Sequence, residues 1–416
     1  MSIQKLDVRY TSGPDEWFSI GTLAAQRRSL YFEYADSFLS DPHHLSPYYL
    51  SPETSFHEFK ESAHLNIWGL FEDSLPDGWG LLLMDRFFQS QGIPPQKLSV
   101  LSRLAYLGSR TMGALTYHPC SHSTPTEQKM IDLLQTANEI FEVLEGKAEN
   151  ILYDLFQLGG SPGGARPKIL VGRKGDYLIS GEQELPEGFE HWLLKFHAKR
   201  DEPEEGIIEQ IYADIAREAG LEVQDTNLFF EPKAKKYYFG TRRFDRKEGN
   251  RRLHIHSLSN LIHSNFRYPS LDYTNLLEIT RDLTKKQTCM EKVFRQMVFN
   301  IVMNNRDDHD KNFSFVYDAE LKEWSYAPSY DLTFCYGLGR TGEHSMMIAG
   351  EGENPSIDHV MKLAADHGFS KKRATSIVDE VKSGSALWRK HTIQYGLSTQ
   401  KTEEIAGFIK RNCGRL

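Results

Sequence analysis

The densest chemistry in the chain lies in Arg306-Asp307-Asp308-His309-Asp310-Lys311-Asn312. Asp307 and Asn312 stand in an Asp-x-x-x-x-Asn spacing, and Arg306 directly precedes the aspartate. That pattern suits phosphoryl transfer. An aspartate accepts or orients the proton of an attacking hydroxyl, while an asparagine a few ångströms away reaches a magnesium ion held on phosphates. One short loop offers both groups only at a fixed separation. A buried helix before it and a strand after it would hold it still. Two other readings stand beside this one. The run could be a solvated acidic loop capping a helix, or a metal site made of Asp307, Asp308, His309 and Asp310. Adjacent residues do not converge on one ion without a special loop, and the calcium pattern of alternating oxygens around a central glycine is missing.

Three further segments bear on the same chemistry. Asp331, in Ser329-Tyr330-Asp331-Leu332, follows Asn312 after one predicted hairpin. Kinases place a magnesium-binding aspartate there, although Leu332-Thr333 replaces the usual Phe-Gly. Lys195 lies inside the apolar run His191–Phe196. A lysine there is costly to bury unless its charge is used. As a phosphate ligand it would pair with a carboxylate on the next helix, Glu209 in the first place and Glu205 in the second. The plain alternative is a lysine snorkelling from an edge strand. The run Gly159-Gly-Ser-Pro-Gly-Gly-Ala-Arg-Pro-Lys168 lets backbone N–H groups approach phosphates. It is not a Walker A motif, because Ala165-Arg166 follows Gly164, and its glycine spacing is wrong for a dinucleotide fingerprint. Lys233-Ala-Lys-Lys236 reads as a hairpin tip, and His254 and His256 as structural residues on a strand.

The elements that must position these groups fall into three regions. Residues 1–119 mix short strands (Phe18–Leu23, Ser29–Tyr34) with helices, one of them over Gly80–Gln89 with Asp77 as its N-cap. The polar stretch Cys120–Glu127 reads as a linker. Residues 120–245 form a small lobe: a helix over Ile131–Leu144, the glycine loop, a hairpin of Lys168–Val171 with Tyr177–Ile179, and the Lys195 strand. An amphipathic helix over Ile208–Ala219 and a second hairpin complete it. Residues 246–416 are mainly helical. Met290, Phe294, Met297, Val298, Ile301 and Val302 share one helical face leading into the acidic loop. The order predicts an α+β, two-lobed protein-kinase-like fold with an N-terminal α/β subdomain and a mainly helical C-terminal lobe.

With 416 residues the chain has room for two or three folding units. Its net charge of −8 argues against a protein that grips DNA over a broad basic face by itself. Four separated cysteines with no Cys-x-x-Cys pair speak against a zinc site or disulfide framework and for a reducing compartment. No apolar signal region opens the chain, and no apolar run approaches the roughly 20 residues that span a bilayer. The expectation is a cytoplasmic protein with no membrane contact.

Gly159–Lys168, Trp192–Phe196, Thr241-Arg-Arg-Phe-Asp-Arg246 and Asn305–Phe313 together resemble the HipA family of bacterial toxin–antitoxin serine/threonine kinases. Leu70–Asp77 and Gly108–Tyr117 are similar to that family's N-terminal subdomain, so the resemblance runs over nearly the whole chain. It implies ATP and Mg2+ as cofactors. It implies Asp307 as catalytic base, Asn312 and Asp331 as metal ligands, and Lys195 on the phosphates. Gly163, Gly164, Ala165, Arg166, Pro167 and Lys168 take the phosphate-loop place. Arg242, Arg243 and Phe244 take the hinge that meets the adenine, with His309 among the ATP contacts. Ser161 matches the serine that family members autophosphorylate, which ejects the loop and inactivates the kinase. Added negative charge beside ATP phosphates gives that inactivation a physical cause. Here the loop departs from the best-known member in being richer in Gly and Pro, and Pro162 biases Ser161 toward an extended conformation. The family further implies a helix-turn-helix HipB-like antitoxin that makes most of the DNA contact, and protein targets that include aminoacyl-tRNA synthetases. A small-molecule kinase of the same fold, and a pseudokinase acting only as an antitoxin partner, are the rival readings.

Overall fold

The computed structural model describes residues 4–27, 29–60, 64–121, 129–146, 155, 163–181, 184–198, 203–268, 270–337, 339 and 342–416. Ser161, Pro162 and most of the expected linker lie outside these described residues.

The N-terminal sheet is antiparallel, built from β1 (Lys5–Thr11), β2 (Trp17–Gln26), β3 (Ser29–Tyr34), β4 (Phe56–Phe59) and β5 (Leu115–His118), in the order β4-β3-β2-β1-β5. In β1 the side chains alternate, so Leu6, Val8 and Tyr10 all point into the core. Around this sheet lie α1 (Asp36–Leu39), α2 (Gly69–Glu72) and α4 (Val100–Leu107), while α3 (Gly78–Ser90) turns to the second sheet. Asp77 does stand at the N-cap of α3, but its side chain makes no capping bond. Its carboxylate is used elsewhere, as described below.

The second sheet follows α5 (Leu133–Glu145). It joins β6 (Lys168–Lys174), β7 (Tyr177–Ser180), β8 (Glu190–Lys195), β9 (Thr226–Glu231) and β10 (Lys236–Arg242) in the order β7-β6-β8-β10-β9. The Lys195 strand, β8, is the central one, which removes the edge-strand reading of that lysine. Between β8 and β9 runs α6 (Glu205–Glu218), the helix predicted over Ile208–Ala219.

A small third sheet of β11 (His254–Ser257), β12 (Ser314–Asp318) and β13 (Glu323–Tyr326) sits among α7 (Leu258–Leu261), α8 (Tyr273–Thr284) and α9 (Gln287–Met303). The chain closes with α10 (Ile357–Asp366), α11 (Lys371–Ser385), α12 (Trp388–Tyr395) and α13 (Thr399–Arg415). α9 is the axis of this lobe: every side chain from Val293 to Met303 is buried, polar Gln296 and Asn300 included. It ends at Asn304, which takes the left-handed conformation (φ 56°) that stops a helix and turns the chain.

Two hydrophobic cores result. One joins the N-terminal sheet to the helical lobe and takes in Ile207, Ile208, Ile211, Tyr212 and Ile215 of α6. The other joins Trp79, Leu83, Met84 and Phe87 of α3 to Ile169, Val171, Trp192 and Leu194 of the second sheet. The N-terminal region therefore packs on both lobes at once. All four cysteines are free, and no described helix is long and apolar enough to cross a membrane.

Candidate active site

Lys195 ends β8 and faces α6. Its ammonium bonds Glu209 at 2.6 Å and also the Asp331 carboxylate. It is 12% exposed and Glu209 is 4%, so the charge is nearly buried and is kept by its partners. Burial acts to lower the Lys195 pKa, but Asp331 and Glu209 outweigh it and raise it. Burial likewise acts to raise Asp331, and Lys195 and Lys168 outweigh it, holding the carboxyl well below the usual range. Glu205 turns instead to Arg166, whose guanidinium spans Glu205 at 3.1 Å and Glu209 at 3.0 Å.

Lys168, the first residue of β6, lies directly opposite Lys195 in the antiparallel register. Two cations placed opposite each other on one sheet face repel. Burial and this neighbour lower the Lys168 pKa, against the opposing pull of Asp331. Its ammonium caps the Gly163 carbonyl, so the glycine loop folds back over the lysines. Gly163, Gly164 and Ala165 form an exposed bend, with Gly164 at φ +98°. Pro167 is buried, and its carbonyl accepts from Phe196 N at 2.8 Å.

Across the cleft, the turn at Asn304 launches the loop predicted from the Asp-x-x-x-x-Asn spacing. Asn312 Nδ2 donates to the Asp307 carbonyl at 2.7 Å, closing the loop on itself. The Asp307 side chain stays 53% exposed, with His309 Nε2 3.8 Å away. Burial of its surroundings raises the Asp307 pKa, and the Asp331 charge adds to that, while His309 opposes it. Asp308, one residue on, has the opposite fate. It is buried and accepts from Tyr273 Oη at 2.9 Å and Ser345 N at 2.8 Å, with His344 Nδ1 at 2.9 Å. Asp310 turns to Ser264 Oγ. The four-ligand metal reading of this run therefore fails, because its carboxylates point to different places. Arg306 is also structural: it spans the Asn304 side chain and the Gly342 and Glu353 carbonyls.

Asp331 is brought to the cleft by Tyr330, whose hydroxyl donates to the Lys311 carbonyl at 2.8 Å and meets Ser314 Oγ at 2.6 Å. Asp331 itself sits at φ 52°, an uncommon backbone state for a residue other than Gly and one that concentrates at functional sites.

At the hinge, Arg242, Arg243 and Phe244 all line a cavity of about 530 Å3 together with Gln224, Lys247 and Arg251. The Phe244 ring packs 5.6 Å from Tyr330. The Arg243 side chain turns inward, bonding Asp245 at 2.6 and 2.9 Å, so its guanidinium is not offered to the cleft. Two residues outside the predicted set join the site: Asp77 and Lys311, linked at 2.8 Å. Nothing in their local sequence marks that contact. His254 and His256 are buried on β11, where His256 Nδ1 meets Asp73 at 2.6 Å.

A five-stranded sheet whose central lysine pairs with a helix glutamate, set above a helical lobe with an Asp-x-x-x-x-Asn loop, defines a two-lobed kinase-like fold. Within that class the chain belongs to the HipA family: residues 160–388 match the HipA-like C-terminal domain and residues 16–118 the HipA N-terminal domain. Its fold is similar to that in the Shewanella oneidensis MR-1 complex of HipA, HipB and operator DNA. There the TM-score is 0.70 at 16% identity, over 99% of this chain and 96% of that one. The Helicobacter pylori proinflammatory kinase CtkA aligns with a TM-score of 0.39 at 12% identity, over 56% of this chain and 92% of that one. Sequence comparison with curated proteins finds no significant match.

Proposed function

We propose that this chain is an ATP- and magnesium-dependent protein serine/threonine kinase acting as the toxin of a type II toxin–antitoxin pair. The carrying observation is Lys195 held between Glu209 and Asp331 beside the Asp307–Asn312 loop. The residues fit a magnesium nucleotide. Opposed Lys168 and Lys195 place two cations on one sheet face, a charge that suits phosphate oxygens as it suits the Asp331 carboxylate. Asp331 and Asn312 offer hard oxygen ligands, and no three His, Cys, Asp or Glu side chains gather as a metal cage among the described residues. Such a pair suits an ion whose remaining ligands are phosphate oxygens and water.

ATP supplies the transferable phosphoryl group, and magnesium offsets the charge that develops on it. Lys195 and Lys168 bind phosphate oxygens, beneath the backbone of Gly163, Gly164, Ala165 and Arg166. Phe244 and the backbone of Arg242 and Arg243 line the adenine side. His309 adds a contact beside Asp307. Asp307 accepts the proton of the attacking serine or threonine hydroxyl. Ser161, on the same loop, is the self-phosphorylation site that switches the enzyme off. A helix-turn-helix antitoxin carries the DNA contact, in keeping with the net charge of −8. The substrate is a protein serine or threonine met in the cytoplasm; family targets include aminoacyl-tRNA synthetases.

Labelled ATP incubated with host lysate should transfer label to a protein band in the presence of this chain. Label on a metabolite would mean a small-molecule kinase, and no label anywhere a pseudokinase. In purified protein, Ser161→Ala is expected to remove the phosphopeptide that covers the glycine loop. A map with the phosphate on another residue overturns the Ser161 assignment.

A further inference from the structure

Asp77 opens α3 in the N-terminal region, far in sequence from either lobe of the cleft, yet its two carboxylate oxygens reach both. One accepts the backbone N–H of Gly164 in the glycine loop. The other accepts Lys311 Nζ at 2.8 Å, next to Asn312 in the catalytic loop. The adjoining residues hold the same stretch from the other side. Trp79 N donates to the Gly164 carbonyl at 3.0 Å, and the Trp79 indole donates to the Lys168 carbonyl at 3.2 Å. Gly78 makes the approach possible. It sits at φ +44°, and a Cβ there would lie 2.4 Å from the Gly164 oxygen. Asp77 is about one-fifth exposed, so its charge is used rather than left to solvent. Burial acts to raise its pKa, but Lys311 outweighs that and lowers it, which keeps the carboxylate ionised.

We propose that Asp77 is a positioning residue that latches the glycine loop to the catalytic loop, so that the N-terminal region controls whether the phosphate cradle is closed. Gly164 is gripped on both its N–H and its C=O, by Asp77 and Trp79 at the start of α3. Release of this one carboxylate breaks the link between the Gly164 N–H and Lys311 of the catalytic loop, leaving Gly163 and Gly164 held through Lys168 and Trp79. The segment carrying Ser161 begins two residues before Gly163, so the latch and the modification site lie on one short piece of chain. Asp77 touches neither substrate nor reacting atoms in this scheme.

The inference deepens the proposed function, and its kinetic arm rests on that reading. The full chain, Asp77→Ala and Asp77→Asn are compared by amide hydrogen exchange over residues 163–168 and by ATP KM against kcat, with thermal melting as the folding control. Loss of one charged hydrogen bond should speed exchange at Gly164 by roughly tenfold or more. Protection in β6 beyond Lys168 should persist, and ATP KM should rise while kcat changes less. Unchanged exchange at Gly164 overturns the latch. So does a lower KM, which would make Asp77 a competitor of phosphate for the Gly164 N–H. Should the wild type show no ATP turnover, the kinase reading fails and the exchange arm still decides the latch. Should Asp77→Ala fail to fold, Asp77→Asn, which keeps the shape and removes the charge, must still speed exchange at Gly164, and unchanged exchange there overturns the latch.

Discussion

Asp307→Asn is expected to lower phosphoryl transfer to protein by about 10²–10⁴-fold, the usual contribution of a positioned general base. Its melting temperature should stay close to that of the wild type. The two expectations follow from the same geometry. The Asp307 side chain is half exposed and, among the described residues, makes no hydrogen bond that braces the fold, while its backbone carbonyl still closes the loop on Asn312. An amide in its place keeps the shape and loses the proton acceptor. The neighbouring Asp308→Asn is the control. That carboxylate is fully buried and holds Tyr273, His344 and Ser345 together, so it should cost stability first and activity as a consequence. Labelled-phosphate transfer and calorimetry on the two variants separate the roles. Near-wild-type transfer by Asp307→Asn would falsify the assignment of the base.

The largest effect on stability is expected from Asp245→Ala. Asp245 is 1% exposed and bonds both Arg243 and Arg246 at 2.6 Å, and it also accepts Gly113 N at 2.8 Å. Arg246 reaches on to the Gly113 and Thr111 carbonyls, so the cluster ties the hinge to the N-terminal region. Removing the carboxylate leaves two guanidinium groups buried without their counter-ion, a loss of about 3–5 kcal/mol. Burial alone would raise the Asp245 pKa, but the two arginines outweigh it and hold it well below the usual range. A group with a depressed folded pKa contributes fully above its unfolded pKa, about 3.9, and loses that contribution as the pH falls further. The wild type should therefore lose stability on acidification below that value, and the alanine variant should lose less. Denaturant unfolding at neutral and acid pH measures both. Equal stability of the two proteins at neutral pH would contradict this account.

Much of the fold is legible because its signals are local. The strands over Phe18–Leu23 and Ser29–Tyr34, the apolar face of α9 and the amphipathic pattern of α6 each follow from a few consecutive side chains. The pairing of Lys195 with Glu209 is nearly as local, since a strand and the helix after it lie next to each other and the helix period sets which residue faces back. Arg166 was legible as a member of the glycine loop, but its grip on Glu205 and Glu209 was not. Asp77 stands at the helix cap as expected, but its side chain makes no capping bond, because what draws its carboxylate away lies 87 and 234 residues further along the chain.

The Arg306–Asn312 loop shows where the division falls. By itself the sequence determined that an aspartate and an asparagine share one short loop at a separation suited to phosphoryl transfer, because that separation is written into the covalent chain. Only the tertiary structure decided which of three nearby aspartates faces the cleft. Asp307, Asp308 and Asp310 are the same in chemistry, and their fates are set by partners from remote segments: Tyr273, His344 and Ser345 for one, Ser264 for another, and open space for the third. Side-chain burial depends on what packs against a position, and here those neighbours come from α8 and from the segments around Ser264 and Ser345.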